Sequence, residues 1–173
     1  MAITVAKFLD VADGLQAQQF SVGNRDTIES LDDLEPAFKK LMDDPVTQIL
    51  GIIGPDGRPN LTPMWFDYEG DHILVNVATH RKKYGWIKKN PQLTSMLVNP
   101  ANSYHWMSIK HTVVDEISED DPVRGAGVTV QLDKIWTKYT QQPGPYGLRD
   151  PSFDERRAQF VCRIDRIATF GKP

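Results

Sequence analysis

A single cysteine, Cys162, stands in the 173 residues, so no intrachain disulfide can form and nothing points to an oxidising compartment. No uninterrupted apolar run is long enough to span a bilayer. The first apolar stretch is broken by Lys7 and Asp10 and carries no signal-peptide pattern, so a cytoplasmic protein is expected. An excess of positive charge is missing too. The formal net charge is −3, which gives no global attraction to nucleic acid or to anionic membranes. Catalytic signatures are equally scarce. There is no Gly-x-Ser-x-Gly elbow for a hydrolytic serine, and no Gly-rich dinucleotide fingerprint follows a strand. His72, His80, His105 and His111 show neither His-x-His nor His-Glu-x-x-His spacing, so no metal site is expected. Internal repeats and low-complexity segments are absent.

What is present is an ordinary globular composition, 40% hydrophobic and 25% charged, in a chain long enough for one domain with a real core. Residues 1–30 are expected to form an N-terminal arm packed on the body, with a short helix from Val5 to Val11. Leu34, Phe38 and Leu41 recur at helical spacing, which predicts a helix over Leu31 to Asp43, capped by Asp32 or Asp33 and stopped by Pro45. Further elements are a short helix from Tyr84 to Lys89, a strand from Leu93 to Val98 and a long strand from Tyr104 to Ile117. A helix from about Val123 to Tyr139, a loop from Gln141 to Asp150, a helical turn over Pro151 to Arg157 and a last strand from Gln159 to Phe170 complete the reading. Trp136 and Tyr139 read as packing residues, His105 and His111 as structural histidines, and Cys162 as a core thiol.

The most informative stretch runs from Ile49 to Pro91. An apolar strand, Ile49–Ile53, is followed by Gly54-Pro55-Asp56-Gly57, whose Pro and Gly suit a tight turn. From Leu61 to Tyr68 the chain alternates, with Leu61, Pro63 and Trp65 on one face and Thr62, Met64, Phe66 and Tyr68 on the other. Glu69-Gly70-Asp71 turns it again, and Ile73, Val75 and Val77 alternate with Leu74, Asn76 and Ala78. A three-stranded antiparallel meander is expected. It ends in the basic run Thr79-His80-Arg81-Lys82-Lys83 at the start of a helix, where backbone N–H groups and full positive charges together suit a phosphate.

The pattern Gly-Arg-Pro-Asn-Leu-Thr-Pro-Met-Trp-Phe at residues 57–66, then Thr79-x-Arg81-x-Lys83 and Ile87-x-x-Asn90-Pro91, resembles the pyridoxamine-phosphate-oxidase-like split β-barrel proteins. Within that family it is most similar to the flavin/deazaflavin oxidoreductases that use FMN or coenzyme F-420. The resemblance implies a mainly β (α+β) split β-barrel domain over 31–173, a homodimer, and a cofactor site at the subunit interface. It places Pro63, Met64 and Trp65 against the tricyclic ring, and Asn76, Ala78 and Thr79 along the ring and ribityl chain. Arg81 and Lys83 match the family's spaced basic pair for the phosphate, with Lys82 assisting. Tyr104 and Trp106 are either contacts to the partner subunit's cofactor or barrel core. His80 and Trp86 depart from the family, which often has Arg and Asn there.

The short Gly-Arg-Pro…Trp-Phe pattern and the layout around Glu155-Arg156-Arg157 look more like the deazaflavin group, which implies a reductase passing hydride to a small organic substrate. An FMN-dependent oxidoreductase is the alternative. The chain ends in Ala168-Thr169-Phe170-Gly171-Lys172-Pro173 without the Arg-containing motif that holds pyridoxamine phosphate, which argues against that substrate. Two readings from other classes stay open. One is a flavin or F-420 carrier without turnover, since no side chain of the expected pocket is an obvious general acid. The other is an anion- or nucleic-acid-binding module on Arg81, Lys82, Lys83, Lys88 and Lys89, against which the acidic overall balance speaks.

Overall fold

Strand β9, Arg157–Phe170, holds the fold together because, among the described residues, three other strands bond to it. In the computed structural model, which describes residues 2–8 and 22–173, β9 lies antiparallel to β8 (Trp106–Ser118) along most of its length. Its other edge is shared. The first half pairs antiparallel with β6 (His72–Ala78), and the second half pairs parallel with β1 (Ile3–Phe8). Register shifts in β8 at Lys110/His111 and Val113/Asp115 give the long strands the local kinks that let a sheet curl into a barrel. From β8 the sheet continues through β7 (Gln92–Val98) and β3 (Gln48–Ile53) to β4 (Pro59–Met64), its outermost strand. At the other end β1 pairs with β2 (Val22–Ile28), and the short β5 (Asp67–Glu69) pairs with β6. This is the mainly β split barrel expected.

The expected helix from Val5 to Val11 is overturned over its described part. Residues 3–8 are strand β1, with Ile3 and Ala6 buried, held between β2 and β9; the remainder lies outside the described residues. The helix expected from Leu31 to Asp43 is divided into a 3-10 turn at Leu31–Asp33 and α1, Pro36–Asp43, with Pro36 in its tolerated first-turn position. Ser30, rather than Asp32 or Asp33, is the cap. Its hydroxyl accepts from Asp32 N–H, while the Asp33 carboxylate accepts from Ser30 N–H. Helix α2 spans Lys82–Lys89 and α3 spans Gly125–Thr140. No helix forms over residues 151–157.

The expected meander is also corrected, and the correction matters for function. The run from Leu61 to Tyr68 is two strands, not one. It breaks at Trp65–Phe66: β4 bonds to β3, while β5 bonds to β6, and β4 and β6 are not paired. The barrel is therefore split between these two strands.

Phe38 and Met42 of α1, Leu50 and Ile52 of β3, and Ile73 and Val75 of β6 meet Phe160, Cys162 and Ile164 of β9 in one core. The other face of β6, carrying Leu74, Asn76 and Ala78, is covered by α3 through Val128, Gln131, Leu132 and Ile135. His105 and His111 are buried on the inward face of the β7–β8 region, and Cys162 is fully buried, its thiol pushed up to about 12 by burial. Among the described residues no helix is long and apolar enough to cross a membrane. No cluster of three or more His, Cys, Asp or Glu among them could hold a metal ion.

Candidate functional site

The split is a slot with a cavity of about 340 Å³, within the range of small-molecule sites. One wall is the end of β4, Pro63-Met64-Trp65. The opposite wall is Asn76, Val77 and Ala78 of β6, with Leu132 and Ile135 of α3 behind them. Arg81 and Lys83 stand at one end, at the start of α2.

The first wall is positioned by contacts that no local pattern announces. At the strand break, Phe66 N–H donates to the Tyr139 hydroxyl (2.8 Å), which donates to the Val46 carbonyl (2.6 Å). Trp65 stacks on the Tyr139 ring at 5.2 Å and 11°, and Trp136 and Tyr146 close round it. Burial pushes the Tyr139 phenol up to about 12, so it remains a donor at any ordinary pH. The Trp65 carbonyl accepts from Gln48 Nε2 (3.0 Å), whose Oε1 accepts from Ser95 Oγ (2.6 Å), which in turn lies 2.8 Å from His111 Nε2. Because the Ser95 proton goes to Gln48, His111 must donate to Ser95. A buried hydrogen-bonded chain thus crosses the core to the slot wall.

Replacing Tyr139 by Phe is expected to cost about 1–3 kcal/mol, because Phe66 N–H and the Val46 carbonyl would lose their partner. The urea midpoint should fall with an unchanged slope, and Trp65 emission should shift as the stack loosens.

Lys83 is partly buried, with its Nζ 3.5 Å from the Met64 Sδ across the slot. Burial lowers its pKa, and the neighbouring Arg81 lowers it further. Neither Arg81 nor Lys83 has an ion pair among the described residues, whereas Arg124, Arg149, Arg156 and Arg157 are all paired with carboxylates. Two neighbouring cations facing a cavity, with no counter-charge among the described residues, suit an anion.

Asn76 of the opposite wall is almost fully buried. Its Nδ2 donates to Gln131 Oε1 (3.1 Å), and its Oδ1 has no partner among the described residues.

Of the residues expected at the site, Pro63, Met64, Trp65, Asn76, Ala78, Arg81 and Lys83 are brought together around this one cavity. Three are not among its lining residues. Thr79 bonds by its N–H and hydroxyl to the Arg156 carbonyl, and Lys82 is exposed on the first turn of α2. Tyr104, 64% exposed in the β7–β8 turn, is not barrel core, and Trp106 stacks on Phe170.

The slot also contains residues the pattern did not mark. Tyr146 and Leu148 come from the loop after α3, which Arg149 straps down by pairing with Glu119 and donating to the Glu155 carbonyl (2.9 Å). Arg157 lies opposite Ala78 in the β6–β9 ladder, buried, ion-paired with Glu155, with its guanidinium over the Tyr146 ring at 5.0 Å. Carrying the period-two alternation of β9 two residues further toward its start would have placed Arg157 on the face of Gln159 and Asn76.

No family model and no curated protein matches the chain. Solved structures do. An F420 reductase is 27% identical with a TM-score of 0.62, over 78% of this chain and 98% of that one. A conserved hypothetical protein from Mycobacterium tuberculosis is 21% identical with a TM-score of 0.52, over 72% of this chain and 76% of that one. The heme storage protein HutZ from Vibrio cholerae is 17% identical with a TM-score of 0.54, over 80% of this chain and 96% of that one. With the split between β4 and β6 and these likenesses, the chain has a mainly β split-barrel fold that it shares with the F420 reductase.

Proposed function

We propose that the slot binds coenzyme F-420, a phosphorylated deazaflavin, and that the protein is an oxidoreductase acting on a small organic substrate. The observation that carries this reading is Lys83: a partly buried ammonium held across the slot beside Arg81, with no anion among the described residues to neutralise either. A phosphate group supplies that missing charge. The similarity to an F420 reductase supports the deazaflavin over FMN.

The residues fit such a group. Pro63, Met64 and Trp65 offer a flat apolar wall next to edge-strand backbone, Asn76 offers a free acceptor, and Arg81, Lys83 and the start of α2 offer the anion grip. Thr79 and Lys82 flank that grip. The bound ring would supply the hydride chemistry. The chain's part is to orient the ring, keep water from its faces with Trp65, Leu132 and Ile135, and hold the phosphate. A second copy of the chain completes the slot in this reading. Among the described residues strand β4 bonds to β3 alone; it carries an exposed Leu61, and Tyr104 is likewise exposed.

Fluorescence titrations with F-420 and with FMN test the reading. Tight F-420 and weak FMN binding are expected. The opposite preference moves the protein to FMN chemistry, and binding of neither overturns the proposal. Oxidation of reduced F-420 by added electrophilic acceptors would separate an enzyme from a carrier, and light scattering would reveal the dimer.

A further inference from the structure

Behind the β6 wall, between the sheet and α3, runs a seam of buried polar side chains whose hydrogen bonds can be read in only one direction. Asp67 on β5 is buried and ion-paired with Lys134 of α3 (3.0 Å). An ion-paired carboxylate only accepts, so Gln131 must turn its amide NH2 toward Asp67 (3.3 Å). That leaves Gln131 Oε1 facing Asn76, which must therefore turn its own NH2 toward Gln131 (3.1 Å). The Asn76 carbonyl oxygen falls on the other side of the amide, in a residue that lines the slot, buried and unpartnered among the described residues. A buried acceptor left alone is costly and is ordinarily satisfied by something.

We infer that Asp67 and Gln131 are positioning residues which lock the Asn76 amide, so that the slot selects a heteroaromatic ring edge bearing an N–H donor. The inference rests on the slot being a flavin or deazaflavin site, whose pyrimidine-type edge carries such an imide N–H. It adds to that reading a specificity-determining residue and the mechanism that orients it. Without Asp67, an asparagine amide is free to turn and show either end. With it, the acceptor is presented permanently, and a ligand edge that offers only another acceptor meets repulsion.

The nearest competing account is internal. Gln159, the cross-strand partner of Asn76, also keeps an unpartnered carbonyl oxygen, and one buried water could donate to both. The two accounts predict different selectivity.

The experiment compares FMN with N3-methyl-FMN, and 5-deaza-FMN with its N3-methyl derivative, by fluorescence titration. The full-length protein is compared with its Asp67→Asn, Gln131→Leu and Asn76→Leu variants. The wild type should favour the N–H form of its preferred ring by about 10-fold or more. In Asn76→Leu the ratio should fall close to one, apart from the steric penalty of the methyl group. In Asp67→Asn, where the seam loses its fixed direction, the ratio should fall several-fold. It should do so even though residue 67 does not line the slot. Because the readout is a ratio for one folded protein, a general loss of stability does not imitate it. Tight binding of the parent ring with equal affinity for its N-methyl form would overturn the inference, and so would an unchanged ratio in Asp67→Asn. Failure of every ring to bind, coenzyme F-420 included, would instead overturn the functional reading, and the inference with it.

Discussion

Replacing Arg81 and Lys83 together by alanine should weaken binding of a phosphorylated flavin or deazaflavin by about 100-fold or more. Hydrogen bonds to charged groups contribute about 1.5–3 kcal/mol each, and two are removed. The fold should not suffer. In the free protein the two cations repel, burial already disfavours the Lys83 charge, and neither side chain is ion-paired among the described residues. Apo stability should therefore hold or rise slightly while affinity collapses. A structural lysine would behave in the opposite way.

Two secondary signs accompany this result. Wild-type affinity should decline with added salt, and the double variant should lose part of that dependence. Affinity should also fall on the alkaline side at a lower pH than an exposed lysine would give, because the free-state pKa of Lys83 is lowered. Isothermal titration at several salt concentrations and pH values measures all three. Unchanged affinity in the double variant would remove the phosphate from this end of the slot.

The second large effect is an acid transition that precedes the carboxylates. Burial pushes the His111 imidazole down to about 4 from its ordinary 6.5, with Asp165 opposing the shift. Its geometry gives the reason. Nε2 donates to Ser95, and the buried Nδ1 has, among the described residues, no acceptor for a second proton. The folded state thus binds this proton less readily than the unfolded chain. The stability contributed is whole above about pH 6.5, is lost as pH falls toward about 4, and declines no further below that. At about 1.4 kcal/mol per pH unit the interval amounts to about 3 kcal/mol.

His105, also lowered by burial, adds to the loss in the same direction. Glu119 and Asp121, held low by Arg149 and by backbone N–H groups, lose their contribution only further into acid. Urea unfolding from pH 7 to pH 4 should show the decline. In His111→Asn the slope should flatten even where the baseline is lower. An equal slope in that variant would assign the transition elsewhere.

How much of this was legible in the residues depends on where the decisive contacts lie. The alternation of Leu93, Leu97, Met107 and Ile109 is local, and so is the spacing of Phe38 with Leu41; strands β7 and β8 and helix α1 could be read from them. The break at Trp65–Phe66 could not. Its cause is the Tyr139 hydroxyl, brought from the far end of α3, and the residues around the break alternate like a continuous strand. The reading of residues 5–8 as helix failed for a related reason. A stretch of six residues has no period strong enough to outweigh pairing with strands elsewhere in the chain. Most of the candidate slot lining was legible because Pro63 to Trp65 are contiguous and Arg81 and Lys83 fall in one basic run. Arg157, Tyr146 and the Asp67–Gln131 seam were not, because each becomes meaningful only opposite a residue that the fold supplies.

The parallel ladder between β1 and β9 sets a schedule for folding. Thr4 lies opposite Arg166, so a strand made early has its place in the sheet reserved beside one made much later in the sequence. At about 5–20 residues per second, the β1–β2 hairpin waits roughly 10–30 s with its inner face uncovered. Closure of so long a loop is slow relative to local pairing. The barrel interior between β3 and β8 can assemble meanwhile, but β6 and β1 dock only when β9 arrives. One wall of the slot therefore does not exist until β9 has been made, which delays any ligand's stabilising effect to that point of synthesis.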